Sequence, residues 1–377
     1  MFNAISNSLN SIAFLYIIQK KYTYVKLNHI MKTLTNQRRV TLGQHIKKSQ
    51  SNLRSRKISS SQSKENIPPN VPLNERKISL QPAVSLPNEQ FAAYINANKA
   101  ILDQKFQPND GHEYDKEVYD CLKTNELIRQ PSSTYFDHQS SIKPRMRAII
   151  VDWLVDVHKK FTLRQDTLFI AVDILDLFLT NVDYDKHNLQ RLGCAALLIA
   201  SKNEDITPPD ADDFVFFSRN SFTIKELYRT EAEVLKSLEF MVNPIHSALF
   251  VKTFINFIIP TLDNVLNAQE INRFILLTSY INEITLIDNR MIGIMPSLKA
   301  AAVIAIAQSI TFNNNGWTTV IENISGYSFD DVKPIIEKIL QAIQYAQSHN
   351  LKALHKKYSQ PEMCCVSNIS FPESFEY

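Results

Sequence analysis

Apolar positions recur with a helical period along most of the chain after residue 110. Between Glu113 and Glu126 they fall at i, i+4, i+7 and i+8, at Tyr114, Val118, Cys121 and Leu122. This spacing predicts one amphipathic helix with a single apolar face. No long stretch alternates apolar and polar residues as a half-buried strand would, and the chain has only six glycines. The pattern therefore predicts an all-α body rather than a turn-rich β fold.

The helical period divides the body into two successive groups of five helices. The first group is predicted at Arg145–Phe161, Gln165–Leu179, Lys186–Asn203, Asp210–Ser218 and Thr223–Leu238. The second group is predicted at Pro244–Ile259, Ala268–Thr285, Pro296–Ile310, Trp317–Ile324 and Phe329–His349. The segments between these helices are short and polar and often contain Pro, Asn or Asp, which are typical of helix connections.

The two groups are similar enough to be copies of one unit. The segment "AALLIAS" ends at Ser201 and "AVIAIAQ" ends at Gln308, and the same offset relates Ser221 to Ser328 in a second matched pair of segments. The third helix of each copy is rich in alanine, which lets the neighbouring helices of a close-packed bundle approach it. We therefore predict two tandem five-helix bundles, at residues 145–241 and 244–350, followed by a C-terminal tail at 351–377.

The first helix of the first copy carries charges on an otherwise apolar surface. Between residues 146 and 157 the polar side chains are Arg147, Asp152 and Asp156. A helix that is apolar nearly all round is normally buried, and a buried charge is costly unless it is paired. The same helix has an apolar stripe at Met146, Ile149, Ile150 and Trp153. Spacing alone favours the core for this stripe.

Charge separates the chain into a basic beginning and an acidic remainder. Residues 1–80 contain 14 Lys or Arg and two acidic residues, whereas the whole chain has a net charge of only +3. Residues 31–88 are rich in Ser, Asn, Gln, Lys, Arg and Pro and poor in aromatic residues, which is typical of disorder. We interpret residues 1–88 as a disordered basic arm. It is either a solvated tail or a segment recognised by a nuclear importer, an acidic surface or nucleic acid.

Candidate chemistry is sparse. The four cysteines, Cys121, Cys194, Cys364 and Cys365, lack zinc-site spacing and form a poor disulfide framework, so we expect reduced thiols in the cytosol or nucleus. The apolar run at residues 12–18 is too short to span a bilayer and lacks the flanks of a signal peptide. The sequence contains no phosphate-binding glycine loop and no nucleophile–base grouping. We therefore expect a non-enzyme with no cofactor, no metal and no membrane partner.

Five segments of the two copies carry a recognisable pattern. In the first copy they are "MRAIIVDWLVDV", "LQRLGCAALLIASKNEDITPPDADDFVF" and "TEAEVLKSLEF". In the second copy they are "MPSLKAAAVIAIA" and "GYSFDDVKPIIEKIL". Together these segments resemble the cyclins of the mitotic and S-phase type, and the A-type is favoured over the B-type. The resemblance covers roughly residues 110–370. It implies two tandem cyclin boxes, preceded by the disordered arm and by one amphipathic helix at 110–128.

The resemblance also implies roles for particular residues. It implies a kinase-binding surface made of Lys202, Glu231, Leu235, Phe240, Tyr114 and Val118. It implies a groove that docks the Arg-x-Leu sequences of substrates and inhibitors, formed by Met146, Ile149, Ile150, Trp153, Asp156, Leu189 and Gln190. It implies a structural ion pair between Arg147 and Asp176. Two residues depart from the family pattern, because Arg191 and Asn203 stand where apolar or aromatic residues are usual.

Two short motifs in the basic arm resemble degradation signals. "RVTL" resembles a destruction box, with Arg39 and Leu42 as its fixed residues, and Lys64, Glu65 and Asn66 form a KEN motif. The resemblance implies recognition by the anaphase-promoting ubiquitin ligase and timed ubiquitin-dependent destruction. The alternative is a chance match in a tail rich in Lys and Asn. Basic clusters such as "RSRK" are consistent with nuclear import, so we expect the protein in the nucleus and cytoplasm.

The resemblance implies a non-catalytic regulatory subunit. Such a subunit binds and activates a cyclin-dependent serine/threonine kinase, recruits substrates through the docking groove and controls cell-cycle progression at S phase or G2/M. The alternative is a transcription-associated binding module, because general transcription factors and pocket proteins share the double five-helix fold. The basic arm would then contact nucleic acid. The intact groove signature and the paired degradation motifs favour the kinase regulator, for which no direct nucleic-acid contact is expected.

Overall fold

The computed structural model describes residues 115–262, 266–312 and 316–372. Within these ranges every regular element is a helix, which confirms the predicted all-α class. None of the described helices has both the length and the apolar character needed to cross a membrane. The basic arm, with its two predicted degradation motifs, lies outside the described residues, and so does Tyr114.

The described chain begins with α1, Asp115–Asn125, and continues into the first bundle. The helices of this bundle are α2 Pro144–Lys160, α3 Gln165–Asn181, α4 Leu189–Glu204, α5 Ala211–Phe217 and α6 Ile224–Ser237. The helices of the second bundle are α7 Ser247–Leu262, α8 Ala268–Ile284, α9 Pro296–Phe312, α10 Thr319–Ser325 and α11 Phe329–Ser348. A short helix, α12, follows at Ala353–Tyr358.

Three features of the structure differ from the sequence-based assignment. Lys186–Asn188 is a separate 3-10 helix ahead of α4, and α7 begins at Ser247 rather than at Pro244. The segment predicted as a tail contains α12 and two 3-10 helices, Pro361–Met363 and Val366–Asn368. Its side chains Leu354, Tyr358 and Val366 are buried. The C-terminal segment is therefore packed against the body as far as residue 372.

The alanine-rich helices form the centre of each bundle. In α4 the run from Leu192 to Ala200 is buried throughout, and in α9 the run from Ala300 to Ala307 is fully buried. Gly193 faces α2, where an added Cβ would approach Ile150 Cγ1 to 3.1 Å. Small residues thus set how closely α2 approaches α4, and this approach fixes the position of the apolar stripe on α2.

Side-chain caps explain why several helices start where they do. Thr223 and Glu226 form a capping box at α6, Asn267 and Glu270 form one at α8, and Ser328 and Asp331 form one at α11. In each box the first side chain accepts a hydrogen bond from a backbone N–H of the first turn, while the acidic side chain accepts one from the capping residue. These reciprocal bonds satisfy donors that the helix itself leaves unpaired.

The C-terminal helix α12 connects the two bundles. The backbone N–H of Ala353 donates to Asp152 Oδ1 of α2 at 2.9 Å. In the second bundle, Glu283 of α8 is buried and accepts hydrogen bonds from Lys357 Nζ at 2.7 Å and Tyr358 OH at 2.8 Å. Because α12 is held from both sides, it fixes how the two bundles pack against each other.

Candidate partner-binding surfaces

The C-terminal end of α4 and the middle of α6 carry the Lys202–Glu231 pair. Lys202 Nζ lies 2.6 Å from Glu231 Oε1, in an ion pair and hydrogen bond between adjacent helices. The Lys202 side chain is 46% exposed, and its Nζ also lies 5.6 Å from the centre of the Tyr228 ring. The Glu231 side chain is only 13% exposed. A pair that is open to solvent on one side contributes little to folding, roughly 0–1 kcal/mol. The ammonium group of Lys202 therefore remains able to interact with a partner.

Large apolar side chains are exposed on the same elements as this pair and on the loops that follow them. Leu235 is half-buried, whereas Phe240 is 68% exposed in the segment after α6. Glu239 and Phe240 both have positive φ angles, 52° and 60°, although neither is glycine. Such conformations are disfavoured for residues with a Cβ. The chain thus turns sharply at the point where Phe240 projects into solvent.

Sequence reasoning missed other exposed apolar residues of these elements. Ile206, in the loop after α4, is 76% exposed, and Tyr228 and Met241 are each about half exposed. A cluster of exposed large apolar side chains marks an interaction surface in a soluble protein. A sequence shows which residues are apolar, but it does not show which apolar positions the fold leaves uncovered.

Asn203 follows Lys202 and makes this surface more polar than the family pattern implies. Its Nδ2 donates a hydrogen bond to Asn243 Oδ1, which belongs to the linker between the two bundles. The side chain is therefore already engaged within the protein. The amide pair places a polar patch beside the Lys202–Glu231 pair.

Helix α1 packs on the second bundle. The Tyr119 hydroxyl donates to Ser325 O at 3.2 Å, and the Tyr119 ring packs against Phe250 and Phe254. Glu126 is buried and accepts from Ser297 N at 2.9 Å and from Ser297 Oγ at 2.7 Å. Val118, on the same helix, is half-buried. The position of α1 is thus fixed by contacts with α7, α9 and α10.

The segment after α1 returns to the end of α6. Arg129 Nη1 donates to Leu238 O at 2.8 Å, and Arg129 Nη2 lies 3.4 Å from Glu239 Oε2. The two preceding residues, Leu127 and Ile128, are 67% and 69% exposed. They directly precede the arginine that binds this turn, and they add two exposed apolar side chains to the segment.

The apolar stripe on α2 lies at the boundary between core and solvent. Ile150 is only 7% exposed and Leu189 of α4 only 5%, whereas Ile149 is 52% exposed. Met146 and Trp153 are half-buried against the core. Ile150 and Leu189 thus suit the floor of a shallow groove. Ile149, Met146 and Trp153 suit its walls.

Polar residues border this stripe. Asp156 is exposed, and Gln190 is half-buried and accepts a hydrogen bond from Ser221 Oγ at 3.2 Å. Arg191 extends toward α6, where its Nε donates to Thr230 Oγ1 at 2.9 Å and its Nη1 lies 3.7 Å from Glu226 Oε1. The unusual arginine therefore has two partners within the bundle.

The charge at the start of α2 is compensated inside the protein. Arg147 is bound by Asp176 through two hydrogen bonds of 2.6 Å, from Nε to Oδ1 and from Nη2 to Oδ2. Its Nη1 donates to the carbonyl oxygens of Leu286 and Ile287 in the second bundle. Burial alone would lower the pKa of Arg147, but Asp176 raises it above its usual value. The pair is structural and joins the two bundles.

The described residues offer no site for a metal ion. No group of three or more His, Cys, Asp or Glu side chains within the described ranges is arranged to hold one. The charged side chains that lie together on this surface are paired with each other, as at Lys202 and Glu231. The geometry of these surfaces suits binding to a macromolecule.

Comparison with known proteins gives matches over both bundles. The family "Cyclin, N-terminal domain" matches residues 117–243, and "Cyclin, C-terminal domain" matches residues 250–372. The chain is 32% identical to "Cyclin-A2" of Xenopus laevis over 269 residues, which cover 71% of this chain and 62% of that protein. It is 33% identical to "G2/mitotic-specific cyclin C13-1" of Daucus carota over 270 residues, which cover 69% and 77% respectively. The chain thus spans less than two thirds of the Xenopus relative.

A solved structure shares the fold. The X-ray structure of a viral cyclin from herpesvirus saimiri matches with a TM-score of 0.50 at 22% sequence identity, and the match covers 60% of this chain and 97% of the viral chain. This similarity extends over nearly the whole viral protein, and it supports the architecture of two tandem bundles.

Proposed function

Because the chain belongs to the cyclin family, we propose that it is an A-type-like cyclin, a non-catalytic subunit that binds and activates a cyclin-dependent serine/threonine kinase. Membership confirms the family that the sequence motifs predicted. In this proposal the subunit controls cell-cycle progression at S phase or G2/M. The observation that carries the proposal is the Lys202–Glu231 pair, which lies at the solvent boundary among exposed apolar side chains.

The proposed subunit contributes binding energy and no reactive group. Phe240, Ile206 and the two half-exposed residues Tyr228 and Met241 supply apolar area, while Lys202 and Glu231 supply directional charge. Binding at this surface moves the regulatory helix of the kinase inward and repositions its activation segment, so that the kinase's own catalytic residues align. A partner that binds the active conformation more tightly shifts the kinase population toward it.

We extend the proposal to substrate recruitment and turnover. The stripe on α2, with Asp156 at its border, docks Arg-x-Leu sequences of substrates and inhibitors, since a carboxylate and an apolar groove complement an arginine followed by a leucine. The arm carries the destruction signals read by the anaphase-promoting ubiquitin ligase. The protein resides in the nucleus and the cytoplasm, and its basic clusters direct its import.

The kinase-binding surface is tested by exchanging its two charges. Lys202→Glu with Glu231→Lys retains an ion pair within the protein, so we expect the fold and the thermal stability to be preserved. Each charge then meets a like charge on the partner, and juxtaposition at a desolvated contact costs several kcal/mol. Binding measured by surface plasmon resonance should fall by about a hundredfold or more, and kinase activation should be lost.

The matched control exchanges two exposed charges on a different helix. Lys333→Glu with Glu337→Lys alters α11, where both side chains face solvent. This variant should bind and activate the kinase as the wild type does. Full activation by the Lys202 and Glu231 exchange would show that the kinase-binding surface is wrongly assigned.

A further inference from the structure

Two adjacent thiols lie in the C-terminal segment. Cys364 and Cys365 occupy the turn between the 3-10 helices Pro361–Met363 and Val366–Asn368, and both are partly exposed. Of the other two cysteines, Cys194 is buried and Cys121 stands alone on α1. Burial raises the pKa of the Cys194 thiol, which keeps it neutral and unreactive. The adjacent pair is thus the place where two accessible thiols can react together.

The backbone holds both cysteines in an unusual conformation. Their φ angles are 51° and 50°, in the left-handed region that residues with a Cβ seldom adopt. The turn is nevertheless fixed, because Cys364 N donates to Pro361 O at 3.0 Å and Cys365 N donates to Gln360 O at 3.2 Å. Val366, which follows directly, is fully buried. Strained conformations that the surroundings enforce are frequent at functional and switching sites.

The two thiols differ in their surroundings. Asn272 of α8 donates from its Nδ2 to Cys364 Sγ at 3.6 Å. The thiolate is the form that attacks a disulfide, and this amide N–H lies beside the Cys364 sulfur. Cys365 carries its thiol on the next residue, so it can reach a sulfur bound at Cys364 once the backbone of the turn moves. This asymmetry gives Cys364 the attacking role and Cys365 the resolving role.

We propose that Cys364 and Cys365 form a thiol-modification site that is oxidised by small disulfides of the glutathione class. The Cys364 thiolate attacks one sulfur of the small disulfide, forms a mixed disulfide and expels the other sulfur as a thiolate. Cys365 then loses its proton to solvent and attacks the Cys364 sulfur. The Cys364–Cys365 disulfide forms and the second small thiol leaves. Two electrons pass from the cysteine pair to the small disulfide, which becomes two thiols.

Closing this ring is incompatible with the observed turn. In a helical conformation of either hand, successive side chains point about 100° apart, whereas a disulfide needs Cβ atoms within about 3.5–4.5 Å of each other. Oxidation must therefore move the backbone at these two residues. The neighbouring contacts with α8 and α12 run through Asn272 and through Ser367 Oγ, which donates to His355 O at 3.0 Å. We expect the oxidised turn to loosen the packing of the C-terminal segment.

The chemistry is tested by mass spectrometry on the full chain. The reduced protein is incubated with oxidised glutathione and digested with trypsin, which cuts after Lys357 and leaves both thiols on one peptide. We expect this peptide to lose two hydrogens and to carry no glutathione. Cys365→Ser should trap a glutathione adduct on Cys364, while Cys121→Ser should react as the wild type does. A wild-type peptide that stays reduced, or that stops at the glutathione adduct, would overturn the proposal.

The conformational effect is tested separately on the same samples. Oxidation should lower Tm by a few degrees and expose the peptide bonds around α12 to limited proteolysis, and dithiothreitol should reverse both changes. Cys365→Gly suits the positive φ and should fold with unchanged or higher Tm, but it should show no response to oxidation beyond an adduct. Disulfide formation with unchanged Tm and proteolysis would refute the link between the pair and the packing of the C-terminal segment.

Discussion

Asp173 and Lys299 interact electrostatically with each other and with the Arg147–Asp176 pair. Asp173 belongs to α3 and Lys299 to α9. Burial raises the pKa of Asp173 to about 7, against a smaller opposing effect of Lys299. Burial also lowers the pKa of Lys299, although Asp173 and Asp176 oppose that shift. In both groups the charged form is therefore less favoured in the folded protein than in the unfolded chain.

This arrangement predicts a pH-dependent stability that Asp173→Asn should alter. The folded-state pKa near 7 lies above the value of about 3.9 expected for the unfolded chain. The folded protein therefore binds the extra proton between these values, and its stability falls as the pH rises through this window. Asparagine does not ionise, so the Asp173→Asn variant does not lose stability in this way as the pH rises. We expect its Tm to exceed that of the wild type by a few degrees at pH 8, and by less at pH 5.

Asp183→Asn is a control with the opposite sign. Asp183 is exposed, and hydrogen bonds from Ser140 N and Ser140 Oγ lower its pKa. The stability from such a group is present above the unfolded-state pKa and is lost as the pH falls. Scanning calorimetry from pH 2 to 8 should therefore show Asp183→Asn to be less stable than the wild type above about pH 4, with a difference that shrinks as the pH falls below the unfolded-state pKa. A Tm difference for Asp173→Asn that does not change with pH would contradict the assignment.

Trp153 decides whether the α2 stripe is a groove or simply core. Met146→Ala with Trp153→Ala should leave kinase activity on a short peptide nearly unchanged. Activity on substrates that carry Arg-x-Leu should fall about tenfold or more, because the groove raises the local concentration of a tethered substrate. Phe216→Ala is the matched control, since Phe216 is an exposed aromatic residue of α5. A fall in Tm of about ten degrees or more would instead identify Trp153 as a core residue.

The sequence predicted an individual contact only where the family motif includes both side chains of the pair, as for Arg147 and Asp176. The need of Arg147 for an anion follows from its apolar helix, but the carbonyl oxygens of Leu286 and Ile287 carry no sequence signal. Asp152 is similar, because its partner Ala353 contributes only a backbone N–H from far along the chain. Any residue can provide such a group, so its position becomes known only from the fold.

At the scale of elements, periodicity located the helices better than it located their ends. Helices with a capping box begin close to the predicted residue, as at Ile224 of α6. The two residues of a capping box lie three positions apart, so the sequence alone is enough to recognise them. Helix α7 begins three residues after Pro244, because proline alone does not fix a helix start and the chain stays non-helical as far as His246. Helix α12 was missed because six residues are too few to show a helical period.

Asp152 is predicted to hold α12 in place. Asp152→Ala removes the acceptor of Ala353 N–H, and the loss of a helix-capping acceptor costs about 0.5–2 kcal/mol. Burial raises the pKa of Asp152, and the Ala353 N–H opposes this shift, so the bond compensates part of the cost of burying the carboxylate. We expect a lower urea midpoint and faster proteolysis after residue 350. Asp156→Ala, one turn away on the exposed side of α2, should have little effect on either measurement.

At the scale of the whole molecule, the sequence predicted two similar bundles and a basic arm of different composition. The division follows from the repeat offset and from the separation of charge, which are both statistical properties of long segments. The packing of the two bundles against each other could not be predicted from such properties. It depends on Arg147, Glu283 and α12, whose contacts link residues more than 70 positions apart.

The arm is predicted to determine the lifetime of the protein. Arg39 and Leu42, together with the KEN motif at residues 64–66, should make the wild type disappear as cells leave mitosis. An extended peptide can enter a receptor groove only where it is not packed against a core, and the composition of residues 31–88 favours such an unpacked chain. Lys47 and Lys48 lie between the two motifs and are available as ubiquitin acceptors.

The test follows protein level after synchronised release, with both motifs replaced by alanine at Arg39, Leu42, Lys64, Glu65 and Asn66. This variant should persist through mitotic exit, whereas the charge exchange at Lys202 and Glu231 should still be degraded on time, because the signals lie in the arm and not on the kinase surface. Residues 31–88 fused to an unrelated stable protein should confer the same timed loss. Equal decay of wild type and alanine variant would show that the motifs are silent. Timed loss of the full chain without timed loss of the fusion would place part of the signal in the helical body.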